Sequence, residues 1–63
     1  MYLIELENGV WVADWAGDPG RTLKIENATT FLNKKTAEKR LRLIKKTYTN
    51  RKFDNAKIID ISF

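Results

Sequence analysis

Apolar and polar positions change period twice along the chain, and each change marks an element. From Tyr2 to Trp15 two strand-like, largely apolar stretches flank Asn8-Gly9. Asn-Gly is a strong short-range hairpin signal, because a type I′ turn needs positive φ at both central residues. Placing the turn there pairs Glu7 with Val10, Leu6 with Trp11, Ile4 with Ala13 and Tyr2 with Trp15. One face of the ribbon then reads Tyr2, Ile4, Leu6, Trp11, Ala13, Trp15; the other reads Leu3, Glu5, Glu7, Val10, Val12, Asp14. A slip of one residue would exchange the faces of one strand, so the first set is expected to face the core.

Gly17-Asp18-Pro19-Gly20 has the chemistry of a type II turn. Thr22 to Glu26 alternates again and predicts a third strand with Leu23 and Ile25 on one side. Asn27 to Thr30 is irregular, and Phe31 is expected to anchor it to the core.

The period then changes to that of a helix. Asn33 is a suitable N-cap, and Ala37, Leu41, Ile44 and Tyr48 fall within about 60° of one another at 100° per residue. Phe31 stands near the place of a hydrophobic staple. Thr49-Asn50 ends the helix, Phe53-Asp54-Asn55 turns the chain, and Ala56 to Phe63 predicts a last strand with Ile59, Ile61 and Phe63 on one face.

The expected fold is α+β, a two-layer β-β-β-α-β arrangement. A three- to four-stranded, antiparallel-rich sheet carries one helix packed on one face. With the last strand beside the first, the order is 4-1-2-3, and a right-handed crossover would make strands 1 and 4 parallel.

Length and composition narrow the function classes. The 63 residues make one small domain, whose folding buries only about 60% of the surface its unfolded chain exposes. Cysteine and histidine are both absent, which removes disulfides, thiol and imidazole nucleophile systems and histidine-ligated metals. Glu5 with Glu7 reads as a solvated strand face. Asp14 with Asp18 is a thin ligand set for a hard cation. The Gly17–Arg21 loop lacks the strand-to-helix context and the lysine of a P-loop. No enzyme activity, cofactor, metal site or small-molecule substrate is expected. With no cysteine, no leader-type apolar segment and no membrane-spanning run, a cytoplasmic location and no membrane association are expected.

Charge is distributed unevenly. Lys34 to Lys52 holds nine Lys/Arg against Glu38, whereas the rest of the chain holds three bases and seven acids. On the helix, Lys34, Lys35, Lys39, Arg42, Lys45 and Lys46 lie opposite the apolar stripe, with Arg40, Arg51 and Lys52 extending the patch. Such a face can meet the phosphates of a nucleic acid or an acidic protein surface; it is also an ordinary way to solvate an amphipathic helix. Tyr2, Trp11 and Trp15 could stack on bases, but core packing is the preferred reading in so small a domain. Leu43, Leu3, Val10 and Val12 are apolar positions left outside the expected core, and so are candidate protein contacts or a homodimer surface.

Several segments resemble, in layout, small and largely uncharacterised phage and prophage proteins of Gram-positive bacteria. These are Met1-Tyr2-Leu3-Ile4-Glu5-Leu6-Glu7-Asn8-Gly9, Gly17-Asp18-Pro19-Gly20-Arg21-Thr22-Leu23, the Phe31-x-Asn33-Lys34-Lys35-x-Ala37-Glu38-Lys39 helix start and Asn55-Ala56-Lys57-Ile58-Ile59-Asp60-Ile61. The resemblance implies a host-cytoplasmic setting and a binding protein acting on host nucleic acid or host proteins. It assigns no functional residue.

Overall fold

The computed structural model describes residues 1–15, 17, 20–48 and 53–61. The elements are β1 (Tyr2–Glu7), β2 (Val10–Val12), β3 (Arg21–Thr22), a 3-10 turn (Ile25–Asn27), α1 (Lys34–Thr47) and β4 (Lys57–Asp60). One helix packs with a four-stranded sheet of order β3-β2-β1-β4, every neighbouring pair antiparallel. The α+β class and the strand order match the expectation from sequence. The expected parallel pairing of the first and last strands does not: β4 runs antiparallel to β1, Tyr2 opposite Asp60 and Glu5 opposite Lys57.

The cause lies between β3 and α1. Backbone bonds tie this connector first to Val12 (Thr29 N–H to Val12 O, 2.9 Å) and then to the start of β1 (Tyr2 N–H to Phe31 O, 2.8 Å; Phe31 N–H to Tyr2 O, 2.9 Å). It carries the chain back along the sheet before the helix begins. The helix therefore starts at the Tyr2 end of β1, and β4 enters from the Glu5 end.

β3 is shorter than the sequence suggests. Thr22 Oγ1 accepts a hydrogen bond from the Lys24 amide at 3.1 Å, a local side-chain turn that competes with the ladder and ends the strand. Leu23 and Ile25, expected on a third strand, are exposed instead. The expected turn at Gly17-Asp18-Pro19-Gly20, the helix end at Thr49-Asn50 and the last strand's Ser62 and Phe63 fall wholly or partly outside the described residues.

The hairpin turns at Asn8-Gly9 as expected, with Gly9 at φ 80° and Glu7 opposite Val10. One step further the register shifts, and Trp11 stands opposite Glu5 rather than Leu6. A bulge at Leu6 places an extra residue on β1, and the Gly9 amide donates to Glu5 Oε2 at 3.2 Å across it. Because side chains alternate with period two, this single insertion turns over the whole of β2. Val12 joins Ile4 and Leu6 in the core, with Tyr2 and Val10 packed against it, while Trp11 moves to the helix-free face with Leu3, Glu5 and Ala13.

The core beneath the helix holds Ile4, Leu6, Val12, Phe31, Ala37, Ile44, Phe53 and Ala56. Asn33 caps α1 as expected, Oδ1 accepting from the Thr36 amide at 2.9 Å and the Thr36 hydroxyl at 2.8 Å. Ala37 and Ile44 are buried, and Leu41 and Tyr48 pack beside them. Phe53 closes the core, its ring edge-on to Tyr48 at 6.3 Å.

Candidate functional site

The outward side of α1 follows from its inward side. With Ala37 and Ile44 fixed against the sheet, Lys35, Lys39, Arg42 and Lys46 are centred about 180° away, at spacings of four, three and four residues. These four form one ladder about 16 Å long at 1.5 Å per residue. Lys34 and Lys45 lie on its flank with Glu38. All six expected cations are exposed. Among the described residues, none of the six is held by an ion pair or a side-chain hydrogen bond.

Like charge within the ladder opposes the helix, and Glu38, four residues from both Lys34 and Arg42, offsets part of it. Like charges at i,i+4 destabilise an isolated helix by roughly 0.2–0.5 kcal/mol per pair, and Lys35/Lys39 and Arg42/Lys46 are two such pairs. Lys34 and Lys35 also occupy the first turn, which contains no acid, although positive charge there opposes the helix dipole. Lys45 and Lys46 in the last turn are favourably placed.

Arg40 does not extend the patch as the sequence suggests. It is turned toward the sheet, with Nη1 2.8 Å from Asp14 Oδ1 and its guanidinium carbon 5.5 Å from the centroid of Phe31. The ion pair and the cation–π contact tie the segment after β2 to the helix. Arg51 and Lys52 lie outside the described residues.

Three of the four expected apolar contact residues are withdrawn into the fold. Leu3 (1% exposed) and Val12 (3%) are buried and Val10 is half-buried, whereas Leu43 is 58% exposed. The bulge explains Val10 and Val12. Leu3 alternates with Ile4 and stands opposite Ile59 on the helix-free face.

Both tryptophans differ from the expectation that they pack in the core. Trp11 is half-buried on the helix-free face. Trp15 is 51% exposed, its indole N–H donating to Arg21 O at 2.8 Å. Trp15 and Leu43 both line a cleft of about 630 Å³, together with Ile44, Tyr48 and the Asp14–Arg40 pair. Gly20 lets the chain close here: a Cβ at this position would collide with the carbonyl oxygens of Ala13 and Trp15. Nothing in the alternation marked Trp15 as a surface residue. The signal that could have done so was its place just before the turn-type sequence Gly17-Asp18-Pro19-Gly20.

Among the described residues, no group of three or more acidic side chains is placed to hold a metal ion, and no helix is long and apolar enough to cross a membrane. No protein-family model matches the chain, and no curated protein or solved structure shows significant similarity to it.

Proposed function

We propose that this chain is a binding protein that engages a nucleic acid through the outer face of α1, with Lys35, Lys39, Arg42 and Lys46 as its central contacts and Lys34 and Lys45 beside them. The observation that carries this reading is the cationic ladder itself, which Glu38 offsets only in part. Four cations repeat along one line of the helix, and Glu38 on its flank, four residues before Arg42, is the helix's one acid. A face serving solubility alone is equally well built from alternating signs. Phosphates spaced along a nucleic-acid strand supply the missing counter-charge, and release of their condensed cations drives association. Contacts of this kind position a protein without reading sequence.

Electrophoretic retardation of DNA and RNA at two salt concentrations tests the proposal. Retardation at low salt that falls steeply at the higher concentration is expected. Reversal of Lys39, Arg42 and Lys46 to Glu is expected to abolish it while the circular dichroism spectrum is unchanged. No retardation of any nucleic acid at low salt overturns the reading. Capture of an acidic protein that persists after nuclease treatment would then assign the same face to a protein partner.

A further inference from the structure

The cationic ladder and the cleft beside Trp15 are adjacent parts of one surface. Leu43 lies one helical turn from Lys39 and from Lys46, neighbours about 5–6 Å apart between Cβ atoms, and it lines the same cleft as Trp15. We propose that this cleft receives an unpaired base of a single-stranded nucleic acid whose phosphates follow the ladder. The proposal rests on the nucleic-acid reading above and narrows it to strands with accessible bases.

Trp15 is the reason for the narrowing. Its indole N–H is spent on Arg21 O at 2.8 Å, which fixes the ring, and half of its surface is open. A ring held in this way offers a π-face to any base without choosing among them. In a regular duplex the bases are already stacked on one another, so a stacking platform has no partner there and only the phosphates are within reach. Leu43 adds apolar lining to the cleft, whose volume of about 630 Å³ is in the range of small-ligand sites. Asp14 on the rim would repel a phosphate, but Arg40 neutralises it at 2.8 Å. The mouth is therefore near neutral, while the ladder one turn away is strongly positive. Base and phosphate thus each meet a surface suited to them.

Fluorescence anisotropy tests the proposal with three labelled probes of equal length: an oligothymidylate, an oligouridylate and a DNA duplex. Trp15→Ala is expected to weaken at least one of the single strands about tenfold, to leave duplex binding unchanged, and to leave the slope of affinity against salt unaltered. Leu43→Ala is expected to act in the same direction by a smaller factor. Trp15→Phe is expected to retain most of the affinity, which guards against a loss caused by disturbed folding. In a Trp11→Phe background, emission from Trp15 is expected to change on saturation with the single strand. Loss with thymidylate alone or with uridylate alone distinguishes a DNA from an RNA ligand, and either supports base stacking. Single-strand affinity unaltered in Trp15→Ala, or Trp15 emission unaltered on saturation, overturns it. If the Lys39/Arg42/Lys46 reversal abolishes binding while Trp15→Ala does not, only the stacking proposal falls. If none of the probes binds the parent protein, both readings fall.

Discussion

Among the described residues, the helix-free face of the sheet and the cleft beside the helix are apolar surfaces finished in opposite ways. On the helix-free face of the sheet, Leu3 and Ala13 are buried, Trp11 is half-buried and Lys57 lies 3.7 Å from Glu5 across the strands. Beside the helix, Trp15 and Leu43 remain more than half exposed and border a cleft rather than closing over it. Each surface carries one tryptophan. The first spends its aromatic residue on the sheet; the second holds its own out from the fold, next to a line of cations. The difference teaches that exposure alone does not mark a binding surface in a chain this short. Under the proposed reading, the mark is an aromatic residue left open beside a predominantly positive face.

Substitutions can sharpen this contrast, beginning with the core that both surfaces share. A domain of 63 residues has a stability of roughly 3–9 kcal/mol. Ile4→Ala, at a fully buried position, is expected to cost about 3 kcal/mol and so to remove much of it, seen as a lower urea midpoint. Gly20→Ala is expected to cost about 2 kcal/mol, because its Cβ would meet the backbone of Ala13 and Trp15 rather than a movable side chain. Trp11→Ala should also cost about 2 kcal/mol, less than a fully buried tryptophan, without changing affinity for nucleic acid. Trp15→Ala should show the opposite pattern, a smaller stability loss of about 1 kcal/mol for one hydrogen bond and a half-open ring, with the affinity loss described above. If the two variants behaved alike in both assays, the distinction between the surfaces would fail.

Much of the fold was legible because several signals agreed. At α1 the Asn33 cap, the Ala37-Leu41-Ile44-Tyr48 spacing and the opposed lysines all specify the same element, and all are found. The hairpin turn was equally legible from Asn8-Gly9. Beyond it, Val10-Trp11-Val12-Ala13 is apolar at every position, so alternation could not show which side of β2 faces inward. A bulge at Leu6 decided it, and a bulge leaves no trace in a periodic pattern. The direction of β4 was hidden for a related reason. It depends on the path of residues 23–31, set by hydrogen bonds to Val12 and Tyr2 that no local propensity encodes. For the candidate site, the cations could be read from helix spacing, whereas the exposure of Trp15 follows from its place beyond the end of β2 at Val12, which the sequence pattern extended to Trp15.

Smaller effects test the supports of the cationic face. Asn33→Ala is expected to destabilise by about 1 kcal/mol through loss of the cap, read as a lower melting temperature, with affinity retained while the helix is folded. Asp14→Asn removes an ion pair between exposed side chains and is expected to cost no more than about 0.5 kcal/mol. Its effect on single-strand affinity should be neutral or slightly favourable, since a carboxylate leaves the rim.

The slope of log affinity against log salt concentration for a single strand tests the role of the helix face most directly. Four phosphates neutralised by Lys35, Lys39, Arg42 and Lys46 correspond to a slope of about −3, and the Lys39/Arg42/Lys46 reversal should abolish binding. A parent slope near zero, or a reversed protein that binds as tightly as the parent, would contradict that role.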